Sequence, residues 1–113
     1  MNRSGEDAER LAAAYLEAHG LRVIARNYRC RFGEIDLIAQ DGRVVVFVEV
    51  RHRRSAAFGG AAASITATKR RKILRAARHY LAGRTPAPAC RFDALLLQGA
   101  TPGVEWIRDA FGE

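Results

Sequence analysis

An Asp-Gly pair, Asp41-Gly42, separates two stretches rich in aliphatic residues, and no other feature of the chain narrows its fold as much. Both residues tolerate the positive φ that a two-residue hairpin loop requires, so residues 34–40 and 43–51 are predicted to be neighbouring antiparallel strands. In the second of these, Val44, Val45, Val46, Phe47, Val48 and Val50 put apolar groups on both faces, as expected of a central strand covered from two sides. A looser alternation over residues 21–29 predicts one more strand ahead of the pair, joined by a turn at 30–33.

Helical periodicity appears twice. Over residues 6–19, Ala8, Leu11, Ala12, Tyr15 and Leu16 recur on one stripe. Ser4 and Asp7 stand at the spacing of a capping box, and Gly20 supplies a stop. A second helix is predicted from Thr66 to about residue 82, stopped by Gly83, with Ile73, Ala77, Tyr80 and Leu81 on its apolar face. After a proline-punctuated linker at 85–89, residues 91–98 read as a fourth strand and 104–107 as a short fifth or edge piece. The third strand, second helix and fourth strand form a β-α-β unit, so those two strands are expected to be parallel with a right-handed crossover. The expected class is α/β, an αβββαβ core with a mixed central sheet flanked by helices. One domain over residues 1–113 accommodates it, with a mobile loop at about 52–65 where Gly59, Gly60 and a cluster of alanines fall.

Nineteen basic residues against twelve acidic ones give the chain a net charge of +7, a lever for binding polyanions. Two of the nineteen are lysines, Lys69 and Lys72, and the other seventeen are arginines. Arginine forks match phosphate oxygens, although a GC-rich genome produces the same bias. Cys30 and Cys90 are the only cysteines. Two distant thiols cannot make a four-ligand zinc site, and they are expected to be small buried or half-buried residues. Without a run of ~20 apolar residues or an apolar N-terminal core, a cytoplasmic protein with no membrane association is expected.

Residues two apart on a strand share a face. Glu34 and Asp36 therefore point the same way, as do Glu49 and Arg51. A loop made of Asp41 and Gly42 would pair Gln40 with Arg43, Asp36 with Phe47 and Glu34 with Glu49, placing all four charged residues in one patch. Facing carboxylates repel unless something cationic lies between them. Mg2+ (or Mn2+), which prefers one or two carboxylates plus water and phosphate oxygens, fits that need, while a solvated acidic face is the bland alternative. The run Lys69-Arg70-Arg71-Lys72 could track a phosphate backbone or be a solvated helix face. Arg53 and Arg54 extend the basic surface towards the acidic patch. Phe58 could stack on a base or pack on its own domain, and Asp93 is expected to be structural, holding a neighbouring arginine.

Gly33-Glu34-Ile35-Asp36-Leu37-Ile38-Ala39 and Val46-Phe47-Val48-Glu49-Val50-Arg51 resemble the motifs of the YraN family of small bacterial proteins. So do the stretch from Phe58-Gly59-Gly60 to Ser64-Ile65-Thr66, Arg91-Phe92-Asp93, and the closing Val104-Glu105-Trp106-Ile107-Arg108-Asp109-Ala110-Phe111. The resemblance covers nearly the whole chain. It implies the restriction-endonuclease-like fold shared with Holliday-junction resolvases, where a helix Glu, a strand Asp and a Glu-x-Lys pair bind metal and assist cleavage. By position these fall on Glu6, Asp36, Glu49 and Arg51, with Glu34 beside them. Arg51 stands where the superfamily has lysine; it keeps the charge but cannot act as a base. The implied function is a metal-dependent endonuclease or nuclease-like protein acting on nucleic acid, DNA in branched or structured form, with Asp36, Glu49 and Arg51 as catalytic groups. The alternative is an inactive nucleic-acid-binding or protein-interaction module on the same fold. The resolvase resemblance also implies a homodimer.

Overall fold

The computed structural model describes residues 3–53, 65–98 and 103–112. Among these, two helices flank one five-stranded sheet. Helix α1 (Arg3–Ala18) leads into β1 (Arg22–Cys30), β2 (Gly33–Asp41) and β3 (Val44–Arg53), and α2 (Ala67–Leu81), β4 (Cys90–Gln98) and β5 (Gly103–Phe111) follow. The strands lie side by side in chain order. All neighbours are antiparallel except β3 and β4, which are parallel and connected through α2. The α/β class, the mixed sheet and the β-α-β unit are as the sequence patterns predict. The fifth strand is longer than the apolar stretch at 104–107 suggested.

Each helix covers one face of the sheet. Ala8, Ala12, Ala13 and Leu16 of α1 pack on Leu37, Ala39, Val46, Val48, Leu95 and Leu97. Ile73, Ala76 and Ala77 of α2 pack on Ile35, Ile38, Phe47, Phe92 and Leu96. Residues 45–50 of β3 are all buried, so the central strand is enclosed from both sides, and each large apolar side chain there contributes roughly 1.5–3 kcal/mol by leaving water. The apolar stripe of α1 is rotated from the expected one. Ala13 is buried, whereas Leu11 is 51% exposed. Three alanines let the helix axis approach the sheet closely, and the approach turns Leu11 outwards.

The hairpin register also differs from the expected one. Asp41 pairs with Val44 and Gln40 with Val45, so the loop is Gly42-Arg43. Gly42 has φ 61° and takes the first loop position, where a two-residue hairpin loop accommodates positive φ. Asp41 stays in the strand because its Oδ2 accepts from Arg91 Nη1 at 3.0 Å. The shift is by two residues, so the paired stretch from Leu37 to Asp41 keeps its faces, but Asp36 rather than Glu34 comes level with Glu49.

Asp93, the one fully buried carboxylate among the described residues, is saturated with donors. Arg91 Nε lies 3.1 and 3.2 Å from its two oxygens, Trp106 Nε1 donates at 2.9 Å, and the Asp109 amide donates at 2.9 Å. It ties β4 to β5 and, through Arg91, to the end of the hairpin. Its structural role is the one expected.

Candidate functional site

The ladder between β2 and β3 runs from Asp41↔Val44 to Leu37↔Val48 and stops there. Beyond that point, Asp36 takes over a backbone role. Its Oδ2 accepts from the Val50 amide at 2.9 Å, a bond that a regular ladder would give to a carbonyl. Asp36 is also where β2 changes face. Ile35 and Ile38 both pack under α2, although a regular pleat would put them on opposite sides. Across from Asp36, bracketed by Tyr28↔Ile35 and Arg26↔Leu37, lies Asn27 with φ 52°. The distortion opens the sheet at this point and aims the Asp36 carboxyl at Glu49.

Glu49 is 2% exposed. Burial, reinforced by the charge of Asp36 and a hydrogen bond with it, pushes the Glu49 carboxyl up to about 8, while Lys69 pulls the other way. At neutral pH Glu49 therefore keeps its proton. Lys69 Nζ lies 3.1 Å and Arg51 Nε 3.6 Å from Glu49 Oε1, yet neither approach is aligned as a good hydrogen bond. Lys69 is placed by the first turn of α2, where Thr66 Oγ1 accepts from the Lys69 amide at 3.2 Å. A cleft of about 310 Å³ opens above the pair, lined among others by Glu34, Asp36, Thr66, Thr68, Lys69 and Lys72.

Of the expected site residues, Asp36, Glu49 and Arg51 come together. Glu34 reaches the same cleft but not the pair's centre; Arg29 Nε holds its Oε2 at 3.0 Å. The side chains of Glu6, Arg53 and Arg54, with Phe58 and most of the loop expected at 52–65, lie outside the described residues. The acid that α1 brings up is Glu9. Its carboxyl is raised, first by burial and then by Asp36, with Asn27 hydrogen-bonding to it in opposition. Glu9 is spaced three, four and seven residues before Ala12, Ala13 and Leu16, so an acid in phase with a buried stripe was the available signal. Lys69 gives the same signal, since it is in phase with Ile73, Ala76 and Tyr80.

The basic run at the start of α2 does not form one surface. Lys69 turns in to Glu49, Arg70 lies 5.9 Å from the Phe111 ring, Arg71 donates to Thr68 Oγ1 at 3.4 Å, and Lys72 faces the cleft. Four consecutive helical residues are spread over about 300° of the helix circumference, and no single face can hold them.

The donor chemistry suits a hard divalent cation. Asp36 and Glu49 supply two neighbouring carboxyls, Glu49 held in its protonated form by burial and by Asp36, and Mg2+ takes one or two carboxylates with water and phosphate oxygens completing its shell. Among the described residues no three acidic, histidine or cysteine side chains form a metal-holding group, so solvent or a ligand would have to supply the other positions. No helix among them is long and apolar enough to cross a membrane.

The sequence pattern of an uncharacterised protein family, UPF0102, matches residues 8–97. A UPF0102 protein of Methylobacillus flagellatus is 59% identical over 112 residues, 98% of each chain. One from Nitrosomonas europaea is 57% identical over 110 residues, 96% of this chain and 93% of its own. One from Psychromonas ingrahamii is 48% identical over 112 residues, 99% and 92%.

Proposed function

The chain belongs to the uncharacterised protein family UPF0102, the YraN family its motifs resemble, and from that premise we propose that it is a metal-dependent nuclease whose centre is Asp36, Glu49 and Lys69. The observation that carries the reading is buried Glu49 set against half-buried Asp36, with Lys69 3.1 Å from Glu49 and both Asp36 and Lys69 lining a cleft. Asp36 and Glu49 would hold Mg2+ or Mn2+, which when bound lowers the pKa of a water and offsets charge developing on phosphorus. Glu49 would give up its proton on loading. Lys69, released from Glu49 by that exchange, would neutralise a phosphate oxygen at the α2 end of the cleft. Arg51, about a quarter exposed and 3.6 Å from Glu49, would act as a fixed positive charge for the same phosphate.

Purified protein is incubated with branched, single-stranded and duplex DNA in Mg2+ or Mn2+. Cleavage by the wild type and none by Asp36→Asn, which retains an acceptor for the Val50 amide, is expected. Lys69→Met should cut the rate by about 100-fold or more. Equal cleavage by Asp36→Asn, or none by wild type on any substrate, would sink the catalytic reading.

One observation favours the alternative of an inactive nucleic-acid-binding module. Glu49 already holds a proton at neutral pH with Lys69 3.1 Å away, so the chain accommodates the acid without metal. That reading requires salt-sensitive binding that EDTA leaves unchanged.

A further inference from the structure

Helix α2 carries Lys69, Arg70, Arg71, Lys72, Arg75 and Arg78 and no acidic residue. Like charges three and four residues apart repel on a helix, and cations in the first turn oppose its dipole, so the helix gives up stability for this pattern. Thr68, Lys72, Arg75 and His79 succeed one another at steps of four, three and four. They therefore form a single stripe, and all four are exposed. From Lys72 to His79 the helix rises about 11 Å. Among the described residues, neither Lys72 nor Arg75 takes part in an ion pair.

Both ends of the stripe lead somewhere. Lys72 lines the cleft with Asp36 and Lys69. The carboxylate at that mouth, Glu34, is held by Arg29. The β1–β2 turn packs along the same flank so tightly that a Cβ on Gly33 would come 3.2 Å from Lys72 Cβ. At the far end, His79 Nδ1 lies 2.5 Å from Tyr28 Oη, the Phe32 ring lies 5.9 Å from the imidazole, and the Arg31 guanidinium sits 4.8 Å over Phe32. The stripe thus runs from the cleft, past two cations that join no ion pair among the described residues, to an aromatic cluster.

We infer that this stripe is the track of a single-stranded polynucleotide leading into the cleft. Lys72 and Arg75 hold successive phosphates, and the Phe32–His79–Tyr28 cluster stacks an unpaired base. Bases in a duplex are already stacked on one another, so an aromatic platform beside a phosphate track reads a single strand. The cleft, near the lower limit of about 300–1,000 Å³ for ligand sites, admits a short length of one strand. The inference rests on the nucleic-acid substrate proposed above and names its form.

The test needs no metal. Asp36→Asn protein in EDTA is titrated against labelled oligothymidine of about 12 nucleotides and against a duplex of equal charge, with anisotropy as the readout. The single strand should bind about tenfold tighter than the duplex. Arg75→Glu should weaken it about tenfold and flatten the log–log salt dependence by about 0.7 for each phosphate the protein no longer neutralises. Phe32→Leu, which keeps apolar volume but removes the ring, should weaken it by about 5-fold or more. Arg10→Glu, on the exposed side of α1 beside Asp7, should bind as the parent does. Thermal melts confirm that each variant is folded, with Arg75→Ala replacing Arg75→Glu if the charge reversal unfolds the helix. Duplex bound as tightly as single strand, Phe32→Leu equal to the parent, or Arg75→Glu no worse than Arg10→Glu would each overturn the inference. A protein that cleaves nothing but passes these tests would fail as a nuclease and keep its track. Cleavage without single-strand preference would do the reverse.

Discussion

Glu49 carries the clearest pH dependence at the residue scale. Its carboxyl titrates near 8 in the folded chain against an ordinary value of 4.5. Below 4.5 both folded and unfolded chains hold the proton, and the stability tied to it is fully present. Between 4.5 and 8 the unfolded chain has released the proton while the folded chain keeps it, so stability falls as pH rises. Glu49→Gln should remove that slope and melt higher than wild type above pH 8, which melting temperature against pH will check. A slope unchanged in Glu49→Gln would place the titration elsewhere. On the proposed function, added Mg2+ should reverse the trend, because metal loading would displace the proton and tighten as pH rises. Glu9 and Lys69 were legible at this scale as charges in phase with buried helical stripes. The face change at Asp36 was not. It depends on Asn27 adopting φ 52° on the neighbouring strand, and nothing in residues 34–40 announces that.

Elements bring their own tests. Thr66 caps α2 and so fixes the turn that carries Lys69. Thr66→Ala should cost about 1 kcal/mol in denaturant melts. Gly33 has φ 154° and faces Lys72 Cβ at 3.2 Å. Gly33→Ala should therefore cost about 1–3 kcal/mol, since backbone strain and a close approach act together; a loss below a few tenths would mean the turn relaxes freely. The hairpin shows where sequence reading stops. Its existence followed from local chemistry at Asp41-Gly42, and its faces between Leu37 and Val48 followed from strand alternation. Its register did not follow, because Asp41 answers to Arg91, fifty positions away. Arg91→Ala should cost roughly 3–5 kcal/mol by stranding buried Asp93. Amide exchange or cross-strand NOEs would then report whether Gln40 pairs with Arg43 once Arg91 is gone.

For the whole molecule, the net charge of +7 makes the folded chain repel itself. Moderate salt should raise its melting temperature while weakening nucleic-acid binding, and inorganic polyphosphate should raise it further at matched ionic strength; a melting temperature that falls with added salt would contradict this. The clasp from Asp41 through Arg91 to Asp93 also bears on how the chain assembles. On a ribosome, the hairpin at 33–53 emerges well before residue 91. Until then its two registers bury the same faces, and the nascent sheet has no local reason to prefer either. Asp36 comes level with Glu49 in only one of them. β4, which brings Arg91 to Asp41, would thus select between the registers, and an emerging chain would set Asp36 level with Glu49 only after β4 has docked.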